Sequence, residues 1–169
     1  MNKFKSVLIN AALTTLFCAS ASSFATQITV MGARADNTTI PFSATGPMVL
    51  SKAGIDLACT AVFAGNVTTT GDVQITSVAF NGNAMCGGIK ATASPSAPWT
   101  GHADTPTQIT LNNVGVKTPR GEQCGPSAAT ATINDNGTES VISFHHSAIT
   151  GGCVVSGALV TTPYLHMPH

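Results

Sequence analysis

Four cysteines carry the most definite chemistry in this sequence: Cys59, Cys86, Cys124 and Cys153, left once an N-terminal leader holding Cys18 is set aside. An even set in an exported chain forms disulfides, and three pairings are open in principle. Separations of 27 residues from Cys59 to Cys86 and 29 from Cys124 to Cys153 favour those two local bridges. Each would stabilise by about 2–4 kcal/mol by restricting the unfolded chain. The competing chemistry is a zinc site, which the missing C-x-x-C spacing disfavours.

Histidines offer less. His145 and His146 are adjacent, and neighbouring side chains on a regular strand point to opposite faces. The pair therefore reads as one partly buried and one exposed ring, not as two ligands of one ion. His166, Met167 and His169 read as a frayed polar tail that would bind a soft metal only adventitiously. No G-x-S-x-G, H-E-x-x-H or phosphate-binding glycine loop is present, so no catalytic residue, cofactor or resident metal is expected. Trp99, the single tryptophan, follows Pro98. It reads either as a plug at the end of the core or as an exposed aromatic for an apolar ligand or surface. Three Asn-x-Ser/Thr acceptor patterns begin at Asn37, Asn66 and Asn136, and read as ordinary turn and strand sequence beside a bacterial-type leader.

The elements that position these residues begin after that leader. Lys3 and Lys5 precede the short apolar stretch from Val7 to Phe17, and Ser23-Phe24-Ala25 supplies small residues before a cut. This is the layout of a secretory signal peptide over residues 1–25, too short in its apolar part to span a bilayer. A lipid anchor on Cys18 is disfavoured by the bulky Phe17 before it. Removing 25 of 169 residues leaves 144, enough for one domain with a real core. It also leaves five basic residues against seven acidic ones, a formal net charge of −2. Nothing in that balance attracts nucleic acid or an anionic membrane surface. Charged residues make up only 8% of the chain, against ~25% in ordinary soluble domains. Thr, Ala, Gly, Ser and Asn take their place, giving a surface of hydroxyls, amides and methyl groups.

Short β-type runs recur about every ten residues, with Gly, Asn and Pro between them. They include Thr38–Phe42 and Met48–Ser51, parted by the breaker Gly46-Pro47, then Cys59–Ala64, Val73–Phe80, Gln108–Val116 and Cys153–Val160. Asn134-Asp135-Asn136-Gly137 between Ala128–Ile133 and Ser140–His146 signals a hairpin. Helical signals are confined to one turn at Ser51–Leu57, and Ser94–Trp99 reads as an irregular loop. The pattern predicts an all-β antiparallel sandwich or barrel with two intradomain disulfides. The organisation expected is a signal peptide at 1–25, a β-type segment at 26–45 and a β domain at 46–169. Thr26, Gln27, Ile28, Thr29 and Val30 form an alternating strand on a free end, and so small a complement of lysine leaves sheet edges poorly guarded. That strand is expected either to pair within its own domain or to exchange with another copy by strand addition.

From Gly46-Pro47 to Pro163 the chain resembles the exported family called protein activator of alkane oxidation, of the PraB type. The residues that carry this are Cys59-Thr60-Ala61-Val62-Phe63-Ala64-Gly65, Thr76-Ser77-Val78-Ala79-Phe80 before Cys86, and Pro98-Trp99. Cys124-Gly125-Pro126 and Gly151-Gly152-Cys153-Val154-Val155-Ser156-Gly157 complete the set. The resemblance implies a secreted or surface-associated protein that aids contact with hydrocarbon by emulsifying or coating, without catalysing its oxidation. It brings no catalytic residues. The alternative expectation is a self-associating structural subunit of a filament, adhesin or biofilm matrix.

Overall fold

The computed structural model describes residues 29–30 and 39–167. The signal-peptide reading of residues 1–25 lies outside them, as do Thr26, Gln27 and Ile28 of the candidate exchange strand.

Eight long strands follow one another as a meander: β2 (Ile40–Lys52), β3 (Ile55–Val67), β4 (Asp72–Asn81), β6 (Trp99–Thr105), β7 (Gln108–Lys117), β8 (Gln123–Asp135), β9 (Ser140–Ile149) and β10 (Cys153–Thr162). Each pairs antiparallel with the next, and β10 returns to pair with β2, from Cys153 opposite Lys52 to Thr162 opposite Ser43. The expected sandwich or barrel is therefore an up-and-down barrel. Three short strands lie outside it. β5 (Lys90–Ala91) extends β7, and β1 (Thr29–Val30) pairs with β11 (Leu165–His166).

Alternation along each strand fills the interior. Phe42, Ala44, Met48 and Leu50 point inward from β2, Ala61 and Phe63 from β3, and Ile142 and Phe144 from β9. Phe63 meets Trp99 edge to face, with ring centroids 5.8 Å apart. The expected breaker at Gly46-Pro47 does not break β2, which runs straight through it. Gly46 lets the neighbouring strand come close, since a Cβ there would lie 2.1 Å from the Ala158 carbonyl oxygen. Pro47 lacks a donor, and the β2–β10 ladder skips its partner without changing register. Residues 40–45 thus belong to the barrel and not to a separate N-terminal segment. The helical turn expected at Ser51–Leu57 is a hairpin turn instead: Ala53 and Gly54 both take positive φ, +50° and +78°, as a tight two-residue connection requires.

The single described helix, α1 (Ala84–Gly88), begins at Asn83, whose side-chain carbonyl accepts the Met85 and Cys86 amides at 2.9 and 3.1 Å. It delivers Cys86 to Cys59, while Cys124 bonds Cys153, as the spacing favoured. Both bridges lie at one end of the barrel, with the turns at 53–54, 118–122 and 150–152.

The opposite end is closed by the C-terminal segment, which is not a frayed tail. Leu165 and Met167 are fully buried. The Asp135 side chain, 4% exposed, gathers them: it accepts the Gly137 amide at 2.8 Å, the Met167 amide at 3.1 Å and the Tyr164 hydroxyl. His166 Nδ1 lies 2.6 Å from its other face. The Leu165 amide donates to Ser140 Oγ at 2.9 Å, and Ser140 is bonded in turn to Thr161. Burial raises the Asp135 pKa, but the hydrogen bonds from Tyr164, Gly137, Met167 and His166 outweigh it and hold the carboxyl well below the usual carboxylate range.

Two outcomes follow. Asp135→Asn should lower stability by about 2–3 kcal/mol at pH 7 in urea titrations, since it discards a charged acceptor and forces an amide N–H among donors. A carboxyl with a depressed folded pKa stabilises fully above its unfolded value of about 3.9 and loses that contribution as pH falls below it. The gap between wild type and variant should therefore be constant from pH 7 to 5 and shrink below about pH 4. Replacing Cys59 and Cys86 together by Ser should cost about 2–4 kcal/mol in the same assay, with Cys124–Cys153 still recovered by peptide mapping.

Candidate functional site

Three surfaces could receive a ligand: the barrel interior, its outer wall and its two ends. The interior is full. A void of about 20 Å³ lies among core side chains that include Met48, Phe63, Phe80, Trp99 and Phe144. Sites for small molecules run to ~300 Å³ and more, so this void is too small for a hydrocarbon chain. Trp99, a candidate apolar contact from sequence, is 2% exposed. It opens β6 facing inward, and its Nε1–H donates to Thr92 Oγ1 at 3.0 Å, which satisfies the ring's only polar atom. The side chain belongs to the core and offers no surface.

The outer wall has a different character. Strand register sets Ala79, Val62, Thr45, Val160 and Val141 side by side across β4, β3, β2, β10 and β9. Val160 is 39% exposed, among the most exposed large apolar residues described. No Asp, Glu, Lys or Arg occurs from Val73 to Asn81, from Leu57 to Val67, from Ile40 to Ser51 or anywhere in β9 and β10. Charges on this side stand at strand ends: Lys52 and Asp56 at the disulfide end, and at the other Glu139 before β9 and Asp72, which pairs with His102 at 3.0 Å. Ser, Thr, Ala and Val make up the area between.

His145 and His146 lie beside this wall. Both are exposed, where one partly buried ring was expected, because β9 bulges there. Val155 faces Ser147 and Gly157 faces Phe144, so two histidines oppose Ser156 alone. His146 takes φ +52° and His145 Nε2 reaches Thr132 Oγ1 at 3.1 Å. Among the described residues no three His, Cys, Asp or Glu side chains converge as metal ligands would.

At the disulfide end, a shallow groove of about 30 Å³ lies between the β2–β3 turn, α1 and the 118–122 turn. Ile55 and Met85, 42% and 40% exposed, line it with Leu50, Leu57 and Pro119, and Lys52, Arg120 and Glu122 form its rim. Sequence reading missed this groove, since its apolar residues come from three separate turns and none stands out locally. Of the candidate exchange strand, Thr29 and Val30 pair with His166 and Leu165 of the same chain. No helix among the described residues is long and apolar enough to cross a membrane, which says nothing of strands.

No curated protein and no solved structure matches the chain. The model of one family, the alkane oxidation protein activator PraA/PraB-like proteins, matches residues 1–168. The filled barrel with its uncharged wall and two disulfides thus belongs to a member of the PraA/PraB-like family of alkane oxidation protein activators.

Proposed function

We propose that this protein is a secreted or cell-surface, non-enzymatic factor that aids contact between the cell and hydrocarbon by adsorbing through its outer wall. The observation that carries the reading is the absence of Asp, Glu, Lys and Arg between the ends of five adjacent strands, beside a core void too small for a ligand. Covering a charged side chain costs several kcal/mol, whereas hydroxyls and methyl groups on a sheet give up water cheaply. Burying ~200 Å² of apolar surface at an oil boundary returns on the order of 5 kcal/mol. Charges at both barrel ends would stay in water, so the barrel would lie on its side with the row from Ala79 to Val141 against the oil. Because the barrel is closed before adsorption, contact needs no unfolding.

The matrix-subunit reading requires strand addition. Every barrel strand already has a neighbour on both sides for at least part of its length. Edges left for addition are the short strands β5 and β1–β11 and the unpaired stretches of β4 and β8, so the adsorption reading rests on the character of the wall. Assignment to the outside of the cell rests on the leader and the disulfides together.

Adsorption to hexadecane droplets, read by depletion of protein from the aqueous phase, tests this. The double variant Val62→Lys and Val160→Lys should lose about tenfold or more in partitioning while its circular dichroism and disulfides match wild type. Asp104→Lys, on the opposite wall, should leave partitioning unchanged. Equal adsorption by all three proteins would sink the proposal.

A further inference from the structure

The groove at the disulfide end has a chemistry that the wall lacks. Its floor is apolar: Leu50 is buried, while Ile55 and Met85 are left facing water. Its rim is net positive. Lys52 Nζ lies 3.9 Å from Glu122 Oε1 and 3.4 Å from the Gln123 carbonyl oxygen, so that cation is answered. Arg120 is not. It sits exposed at the tip of a turn closed by the Gly121 amide on the Thr118 carbonyl at 2.8 Å and braced by the Glu122 amide on Thr118 Oγ1 at 3.1 Å. No carboxylate among the described residues pairs with it.

The geometry points to a binding site for single-chain carboxylates: the alkyl chain of a fatty-acid anion lies over Ile55 and Met85, and its carboxylate meets the Arg120 guanidinium. Charge complementarity selects this occupant. A bare alkane would leave Arg120 unanswered, a cationic amphiphile would be repelled by it, and a guanidinium matches a carboxylate with two parallel hydrogen bonds. Elements on three sides hold the floor. Asn83 caps α1, the Cys59–Cys86 bridge fixes that helix against β3, and Pro119 presets its turn. The groove is shallow, so binding is weak and one chain occupies it at a time. This site goes beyond the adsorption proposed above and uses none of the row from Ala79 to Val141.

Methionine-methyl NMR reads the site directly in the full protein with disulfides intact. Sodium decanoate, kept below its micelle concentration, should shift the Met85 methyl (assigned with Met85→Leu) saturably and leave the buried Met48 and Met167 methyls in place. Arg120→Gln should weaken decanoate binding about threefold or more and leave decanol binding as it was, since only the charged head uses the guanidinium. Decylammonium should bind more weakly than decanol. A Met85 methyl that does not move, or an Arg120→Gln protein that binds decanoate as tightly as wild type, would overturn the assignment. Droplet adsorption measured on the same samples separates this failure from failure of the wall: normal adsorption without decanoate binding removes the groove alone.

Discussion

Closing eight strands into a barrel leaves space inside for side chains and little more, and most of the molecule's other properties follow from that limit. The strands must approach closely at a few points. Gly46 and Gly65 make this possible, because a Cβ at either would lie about 2 Å from a carbonyl oxygen of the next strand. The large apolar residues are then drawn inward: Phe42, Phe63, Phe80, Trp99 and Phe144 all face the core. What remains outside is Thr, Ser, Ala, Val and Asn. The packed interior follows from that closure, and across β4, β3, β2, β10 and β9 the exterior carries charge at the strand ends.

Polar groups are concentrated where the barrel ends. At one end Asp135 collects Tyr164, His166 and two backbone amides, and so fastens a segment that seals the core with Leu165 and Met167. At the other, two disulfides tie α1 to β3 and β8 to β10 where the β8–β9 ladder has given out above Thr132 and Ser143. Neither end depends on the long walls for its fastening. The wall from β4 to β9 can therefore lack charge between its strand ends without loosening the fold, which suits a protein of a family associated with alkane oxidation.

Much of this was legible in the sequence because it depends on local order. Alternation identified the major strands, Asn134 to Gly137 located a hairpin, and near-equal cysteine separations gave both bridges. The rest depends on partners distant in the chain. β6 was missed because Trp99-Thr100-Gly101-His102-Ala103-Asp104 lacks bulky alternation. After Trp99 its inward positions, Gly101 and Ala103, are small, and a Cβ on Gly101 would lie 2.6 Å from the Leu111 side chain. The β9 bulge that turns both His145 and His146 outward is set by pairing with β10, and Asp135 meets its tail ligands from 29 residues away and more. The groove at the disulfide end likewise joins residues from three turns, so no window of sequence contains it.

The central claim is that hydrocarbon meets the outside of a barrel whose interior stays closed, and the single tryptophan permits a direct check. Trp99 fluorescence would be recorded as the protein adsorbs to droplets of a brominated alkane, which quenches an indole on contact. The account predicts that protein moves onto the droplets while Trp99 emission keeps its buried, blue-shifted maximum and its intensity. Strong quenching on adsorption would mean that hydrocarbon enters the core or that the barrel opens at the interface, and would contradict the account.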